Sequence, residues 1–468
     1  MIKDIFFDSS SEILNKAYRI AVGDIVGNIA LYHNGLMKES APCLYAGIDY
    51  DTPWTRDTAI NVWNALAILS PEVSRNTLLA VCCHERGRDI IGTGYDQYWD
   101  CIIWAVGAYH YCEVTGDKEF LKKVYEITLN TLEKYEREEF DPEKNLFRGP
   151  AVYGDGTAAY PDKYGVLKDC SSRVLDWVTT YPDKMVKTGY GIPMFALSTN
   201  CIYYMVYQIC ATIANKFGYG DEKHTAEEFE KKAYNLKEAI NREFWNEQRQ
   251  SYDYLAGECS YQEGLGLSFA VLSGIAQKDK AIRVIENAVI SEHGIPCVWP
   301  SFERYLKQGN MGRHSGTVWP FIQGFWGQAL YQYGYMHEFD RNLFQMAEKA
   351  CRDGFFSEIY HSKTGEIYGG LQENIDFGEI VMWDATRRQS WSASAFLSLI
   401  YNCVLGLKYV DEGMEIHPYL PQNCDYVKLT GIPLMGKKVD VTVKRGSDAP
   451  NDILVFADGK DEKIVLSV

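Results

Sequence analysis

The sequence predicts an all-α domain built from paired helices, followed by a small antiparallel β-module. Three features of the 468 residues predict this fold. Twelve segments have the hydrophobic periodicity of helices, short polar links join neighbouring segments, and the last stretch changes to alternating β-type runs. With 46% hydrophobic and 24% charged residues, the composition allows a large core.

The helical segments repeat apolar residues at intervals of three and four, which gives each helix a buried face. Some links between helices are short, such as TGD at 115–117. Thr225 is a candidate N-cap between two helices. Helical hairpins in series are therefore expected. The predicted helices cover about residues 10–29, 55–69, 71–83, 97–115, 117–135, 195–216, 223–243, 262–275, 277–290, 317–335, 338–353 and 389–406.

Two further features set the expected organisation of the chain. From residue 409 onward, short alternating runs are separated by Gly, Pro and Asn, so we expect a helical domain at 1–408 and a β-module at 409–468. Long stretches rich in aromatic, Gly and acidic residues separate several helices. Long connections without secondary structure are usually functional, so these stretches are where a site is expected: 30–54, 138–194, 291–316 and 354–388.

Charge and missing motifs exclude several function classes. The net charge of -16 argues against nucleic-acid binding. The sequence contains no P-loop, no dinucleotide-binding glycine motif and no HExxH, so neither a cofactor nor a metal is expected. The absence of a GxSxG motif argues against a serine hydrolase. The thirteen Cys show no CxxC pair, and the N-terminus has no signal-peptide pattern. A cytoplasmic protein with no membrane partner is expected.

Carboxylates set among aromatic residues indicate a different chemistry. A glycosidase needs one carboxyl group to protonate the leaving oxygen and another to activate water. Asp51, Trp54, Arg56 and Asp57 stand at a helix entrance, where charged groups can bind sugar hydroxyls while an indole covers the ring. Alternatively, Arg56 and Asp57 form only an N-terminal salt bridge. Trp99 and Asp100 begin another helix.

Four segments in the same order resemble motifs of known glycosidases. WTRDTAINVW (54–63) resembles the WxRD motif of glucoamylases and debranching glucosidases, and YWDCIIWAVGAYHYCEVTGD (98–117) resembles a helix of debranching enzymes and neutral invertases. HSGTVWPFIQGFWGQAL (314–330) resembles a segment of the debranching glucosidase domain, and QENIDFGEIVMWDATRRQSWSASAFLSLI (372–400) resembles the end of that domain, where a Glu precedes a QxWSxA helix. The chain thus resembles the six-hairpin glycosidases, which also include trehalase.

This resemblance implies an (α/α)6 toroid and an inverting exo-glycosidase. It places the general base at Glu373, upstream of the QSWS helix. LKDCSSRVLDW (167–177) resembles the acid segment of trehalases and places the general acid at Asp169, with Asp176 as its rival. Trp319 is expected to stack on the sugar.

The resemblance leaves the substrate open. An α-glucoside is expected first, and a short one, because the large N-terminal β-sandwich of several relatives has no counterpart in this sequence. A fructosyl, mannosyl or rhamnosyl substrate is an alternative. So is phosphorolysis, for which Arg387 and Arg388 would supply an anion site. A catalytically silent carbohydrate-binding protein is the remaining alternative.

Overall fold

The computed structural model describes residues 5–164, 189–374, 379–410, 413–434, 436–446, 453–458 and 464–466. Within these ranges the chain is rich in helices, with small sheets in the connections between helices and near the chain ends. No helix among the described residues combines the length and apolar character that crossing a membrane requires.

The predicted helices are present in the described residues, with ends shifted by a few positions. We number them α1 to α12: Glu12–Gly27, Thr55–Asn61, Pro71–Ala80, Trp104–Thr115, Lys118–Glu138, Leu197–Phe217, Ala226–Glu243, Gly264–Leu272, Lys278–Asn287, Pro320–Gln332, Met336–Asp353 and Ser390–Leu399.

Several boundaries have local causes. Helix α2 continues through a π-helical turn, Val62–Leu66, into Ala67–Leu69, and α12 continues into the π-helical turn Ile400–Val404. The predicted segment 97–115 becomes α-helical only at Trp104, after a 3₁₀ turn at Cys101–Ile103. Gly116 caps the C-terminus of α4 and Gly218 that of α6, both with a positive φ that glycine adopts without strain.

The even-numbered helices lie inside and the odd-numbered helices outside. Contacts run in a closed series from α2 to α4, α6, α8, α10, α12 and back to α2, and each odd-numbered helix packs on an inner one. Burial explains this order. All ten residues of α12 are buried, whereas only Ala281, Val284 and Ile285 are buried in α9, which is the pattern of an amphipathic surface helix.

The sheets near the chain ends join distant parts of the sequence. A four-stranded antiparallel sheet has the order Phe6–Ser9, Tyr426–Leu434, Lys437–Arg445, Ile453–Asp458, so an N-terminal strand pairs with the C-terminal region. A second sheet contains Leu407–Val410, Gly413–Ile416 and Ile464–Leu466. The first two of these strands pair antiparallel, and the second and third pair parallel. The predicted boundary at 408/409 stays a prediction.

Short antiparallel strand pairs occupy the connections between helices. The pairs are Ile29–Tyr32 with Ala41–Leu44, Cys82–Glu85 with Arg88–Ile91, Phe140–Asp141 with Leu146–Phe147, Trp245–Asn246 with Ser251–Tyr252, Gln262–Glu263 with Val298–Trp299, and Leu371–Asn374 with Glu379–Met382. A one-turn helix, Glu303–Leu306, lies in the connection between α9 and α10. Arg304 in this turn bonds Glu373 in the last of these strand pairs.

Candidate active site

A cavity of about 510 Å³ opens at one end of the inner helices. Each of the four long stretches contributes to its wall, as expected. The lining combines three carboxylates, two arginines, three glutamines and six aromatic rings: Tyr50, Trp54, Arg56, Asp57, Gln97, Tyr153, Asp155, Arg313, Trp319, Glu358, Gln372, Trp383, Gln389 and Trp391.

The N-terminal ends of three inner helices face this cavity. Trp54 immediately precedes α2, Trp319 immediately precedes α10, and Trp391 lies in the first turn of α12. Because connections enter these inner helices at this end, their polar side chains converge on one cavity. The site is thus built from loops held by a rigid scaffold.

Arg56, in α2, contacts Asp100, the loop Val152–Asp155 and α12. Its Nη1 donates to Asp100 Oδ2 at 3.0 Å and to the Val152 carbonyl at 3.1 Å, and its Nη2 donates to Asp155 Oδ2 at 3.3 Å. The guanidinium also lies 5.4 Å from the ring centre of Trp391, within cation–π range. A buried, multiply bonded guanidinium fixes the α2 entrance against the Val152–Asp155 loop.

The carboxylates around Arg56 titrate differently. Burial raises the pKa of Asp57 to about 7 and that of Asp100 to about 7, although Arg56 opposes both shifts. Burial also disfavours the charged form of Asp155, but Arg56 and Arg313 outweigh it and lower its pKa. His314 lies 3.6 Å from Asp155. Burial lowers the pKa of His314 to about 3, so it is neutral near pH 7 and the two arginines cause the shift at Asp155.

Glu358 is a buried carboxylate with one oxygen held by two hydrogen bonds. Arg313 Nη2 donates to Glu358 Oε2 at 2.7 Å, and the Thr386 backbone N–H donates to the same oxygen at 3.0 Å. None of the described residues donates a hydrogen bond to Oε1. Only 4% of the side chain is exposed, and the residue lines the cavity. This orientation suits a group that accepts a proton inside the cavity.

Glu373 is held differently. Thr157 and Tyr305 hydroxyls donate to Oε2 at 2.7 and 2.6 Å, and Arg304 Nε donates to Oε1 at 2.6 Å. Its side chain is 1% exposed and is not part of the cavity lining, to which its neighbour Gln372 contributes. The assignment of the base to Glu373 stays a prediction.

The other predicted site residues fall into three groups. Asp169 and its rival Asp176 lie outside the described residues. Four predicted sugar-binding residues line the cavity: Trp54, Arg56, Asp57 and Trp319. The remaining three do not line it: Asp51 is exposed, Trp99 is buried in the core, and Asp100 lies behind Arg56. Sugar binding by these seven residues stays a prediction.

Sequence reasoning missed two acidic residues of the cavity although it predicted their loops. Asp155 lies in the sequence YGDG, which is also typical of an ordinary turn, and Glu358 lies in the stretch 354–388, where Glu373 was preferred. Arg387 and Arg388 do not line the cavity. Arg387 lies over Phe355, and Arg388 faces Asp24 at 3.9 Å, so neither supports an anion site there.

Comparison with protein families identifies the family of this chain. The model of the mannosylglycerate hydrolase MGH1-like glycoside hydrolase domain matches residues 96–392. The chain belongs to this family. The match covers well over half of the sequence and includes Asp155, Arg313 and Glu358. No curated protein matches the chain.

Solved structures share the fold at low sequence identity. A protein described as a sialidase superposes with a TM-score of 0.70 at 16% identity, covering 97% of this chain and 40% of its own. A GH78 rhamnosidase of Bacillus sp. GL1 has a TM-score of 0.59 at 15% identity, covering 100% and 43%. The neutral trehalase of Saccharomyces cerevisiae has 0.53 at 13% identity, covering 82% and 80%.

The family match, together with the shared fold, confirms the resemblance to six-hairpin glycosidases. This chain spans less than half the length of the first two structures. The matched family is one of glycoside hydrolase domains.

Proposed function

We propose that the chain is an inverting exo-glycosidase that removes one terminal sugar from a short α-linked substrate, on a toroid of six helical hairpins. The observation that carries this proposal is the cavity itself. It brings the buried carboxylate Glu358 together with the Arg56–Asp57 pair and six aromatic rings in about 510 Å³. That volume lies in the ordinary range for small-ligand pockets.

Sugar binding is assigned to the inner wall of the cavity. Arg56 and Asp57 offer donors and acceptors for ring hydroxyls, and the Trp319 indole offers an apolar face for the ring. Trp319 is fixed because its Nε1 donates to the Arg313 carbonyl at 2.9 Å and its ring stacks on His314, with ring centres 4.8 Å apart. Fixed aromatic platforms lose little conformational entropy when a ligand binds.

We assign the general base to Glu358 in preference to Glu373. A base needs an oxygen within reach of the attacking water. Glu358 lines the cavity with Oε2 held by Arg313. Both oxygens of Glu373 already accept strong hydrogen bonds outside the lining.

The general acid stays assigned to Asp169. Asp155 is less suited because the arginines lower its pKa, so it is ionised near neutrality. In the proposed reaction Asp169 donates a proton to the glycosidic oxygen as the bond between that oxygen and C1 breaks. Water attacks C1 from the opposite face while Glu358 accepts its proton, and the sugar leaves with inverted configuration.

The sugar is proposed from two sources. The resemblance to debranching glucosidases, glucoamylases and trehalases favours glucose, whereas the description of the matching family favours mannose. The two hexoses differ at one hydroxyl, so the same wall of the cavity can bind either. α-Glucosides are the first candidates and α-mannosides the second.

A panel of aryl α-glucosides, α-mannosides and α-rhamnosides tests this proposal, together with α-linked disaccharides of glucose and of mannose. We expect hydrolysis of one series and release of single sugars only, and proton NMR should show the β-anomer first. Initial release of the α-anomer would contradict inversion. No turnover on any member, with sugar binding retained, would favour a catalytically silent binding protein.

A further inference from the structure

A second ionic cluster lies beside the cavity wall and has no role in the proposed chemistry. It joins Arg304, on the turn Glu303–Leu306, to Glu373, on the strand Leu371–Asn374, and to the segment 157–162. Arg304 is 10% exposed and Glu373 1% exposed. Burying a charged pair is costly unless the remaining hydrogen-bonding capacity of both partners is satisfied.

Every N–H of the Arg304 guanidinium has an acceptor. Nε donates to Glu373 at 2.6 Å, Nη1 donates to the Tyr160 carbonyl at 2.8 Å and to Asp162 at 2.9 Å, and Nη2 donates to the Thr157 carbonyl at 2.7 Å and to the Tyr305 hydroxyl at 3.0 Å. A guanidinium has five such donors. Three of them hold the segment 157–162.

Glu373 completes the cluster from the other side. Its Oε2 accepts from Thr157 at 2.7 Å and from Tyr305 at 2.6 Å, and its Oε1 accepts from Arg304. The segment 157–162 is therefore fastened by both the cation and the anion. Hydrogen bonds to an ionised group are shorter and stronger than neutral ones.

The fastened segments also form the cavity wall. Asp155 lies two residues before Thr157 and bonds Arg56, and Gln372 is the neighbour of Glu373; both line the cavity. The two segments lie in direct contact there, because a Cβ on Gly156 would fall 2.0 Å from Gln372 Oε1. A shift of the segment 155–162 would move Asp155 and uncover Gln372 together.

We infer that Arg304 and Glu373 are positioning residues that set the sugar-binding wall of the cavity through Thr157. Part of this inference, the effect on catalysis, rests on the proposed function. In this arrangement Glu373 exchanges no proton with substrate. Its loss loosens the 155–162 segment, weakens substrate binding and leaves the ionisation of the base unchanged.

The test compares Glu373→Gln, Arg304→Lys and the milder Thr157→Val with Glu358→Gln and wild type. Glu303→Gln, an exposed neighbour of Arg304, is the matched control. We expect kcat/KM to fall about 10²-fold in Glu373→Gln and Arg304→Lys, mainly through KM, with an unchanged pH profile. The Glu373→Gln, Arg304→Lys double variant should cost little more than either alone.

Amide hydrogen exchange gives a readout that needs no substrate. Peptides covering 152–162 should exchange faster in the Glu373, Arg304 and Thr157 variants, and at the wild-type rate in Glu358→Gln and Glu303→Gln. Faster exchange in an enzyme that hydrolyses none of the glycosides tested would support the positioning role of Arg304 and Glu373 and refute the proposed function.

Unchanged exchange in all three cluster variants would overturn the inference. So would a loss in Glu373→Gln confined to kcat, together with azide rescue of Glu373→Ala, because rescue is the behaviour of a base. Should Glu373→Gln fail to fold, the exchange rate of Thr157→Val decides the question, since that variant removes a single donor.

Discussion

Glu358 and Glu373 are both buried in the same part of the chain, yet their surroundings assign them opposite tasks. Glu358 has one oxygen held by Arg313 and Thr386 and lines the cavity, whereas Glu373 has both oxygens held by Arg304, Tyr305 and Thr157 outside the lining. A carboxylate that has both oxygens hydrogen-bonded to surrounding side chains stabilises structure. One that is oriented but accessible can take a proton.

The largest expected effect comes from replacing Glu358. Glu358→Gln should keep the fold and lower kcat by about 10²–10⁴-fold, because general-base catalysis contributes that much. Steady-state kinetics on the best glycoside of the panel measures it. Glu366→Gln and Glu379→Gln, which are exposed residues of the same region, should cost little. Normal turnover by Glu358→Gln would remove it from the mechanism.

Asp57 should affect binding more than chemistry. A hydrogen bond from a sugar hydroxyl to a carboxylate is worth about 1.5–3 kcal/mol, so Asp57→Ala should raise KM about ten- to hundredfold. Asp51→Ala, at an exposed position of the same segment, is the matched control. If both variants keep the wild-type KM, the WTRD segment serves only as a helix start.

Asp24 should act on Glu358 from a distance. Its Oδ2 accepts the Phe356 backbone N–H at 2.7 Å, two residues before Glu358. Asp24→Ala leaves that N–H buried without its acceptor, which costs about 1–3 kcal/mol of stability, and we expect kcat to fall about tenfold. Asp24→Asn keeps a carbonyl acceptor and should recover most of the activity. Equal kinetics for wild type and Asp24→Ala would show that the Glu358 loop is fixed by other contacts.

Glu263 is expected to affect activity least, because its effect is on the pH dependence of stability, far from the chemistry. Burial raises the pKa of Glu263 to about 8 in the folded state, although the Ser198 N–H opposes the shift. The folded protein therefore keeps a proton that the unfolded chain releases above about pH 4.3. The free energy of unfolding must fall as pH rises through this window, by up to about 1.4 kcal/mol per pH unit.

Urea unfolding from pH 5 to pH 8 checks this sign. Glu263→Gln carries no titrating group, so its stability should fall less with pH than that of the wild type, while Glu222→Gln, at an exposed position, should follow the wild type. Parallel slopes for wild type and Glu263→Gln would show that Glu263 is ionised in the folded protein.

Much of the helical architecture could be predicted from the sequence because its determinants are local. Hydrophobic periodicity, Gly116 and the Thr225 cap mark helices and their ends within a few residues. The strand Phe6–Ser9 was missed because it is four residues long and its partner, Tyr426–Leu434, lies at the other end of the chain. No local pattern specifies such a pairing.

The site was predictable only in part, for the same reason. The long loops and the motif at Trp54–Asp57 indicated the right end of the molecule, since loops that a domain retains at such length usually have a function. Sequence spacing could not separate Glu358 from Glu373, because the difference lies in which side chains surround each carboxylate. Arg304 lies 69 residues from Glu373 in sequence, and only folding brings it there.

The most direct test of the assignment of Glu358 is the product formed by alanine variants in the presence of azide. Removing a general base opens room for a small anion to attack C1 in place of water. NMR of the reaction with an activated α-glycoside should therefore show a β-glycosyl azide from Glu358→Ala and none from Glu373→Ala. A glycosyl azide from Glu373→Ala, with none from Glu358→Ala, would contradict the account and return the base to Glu373.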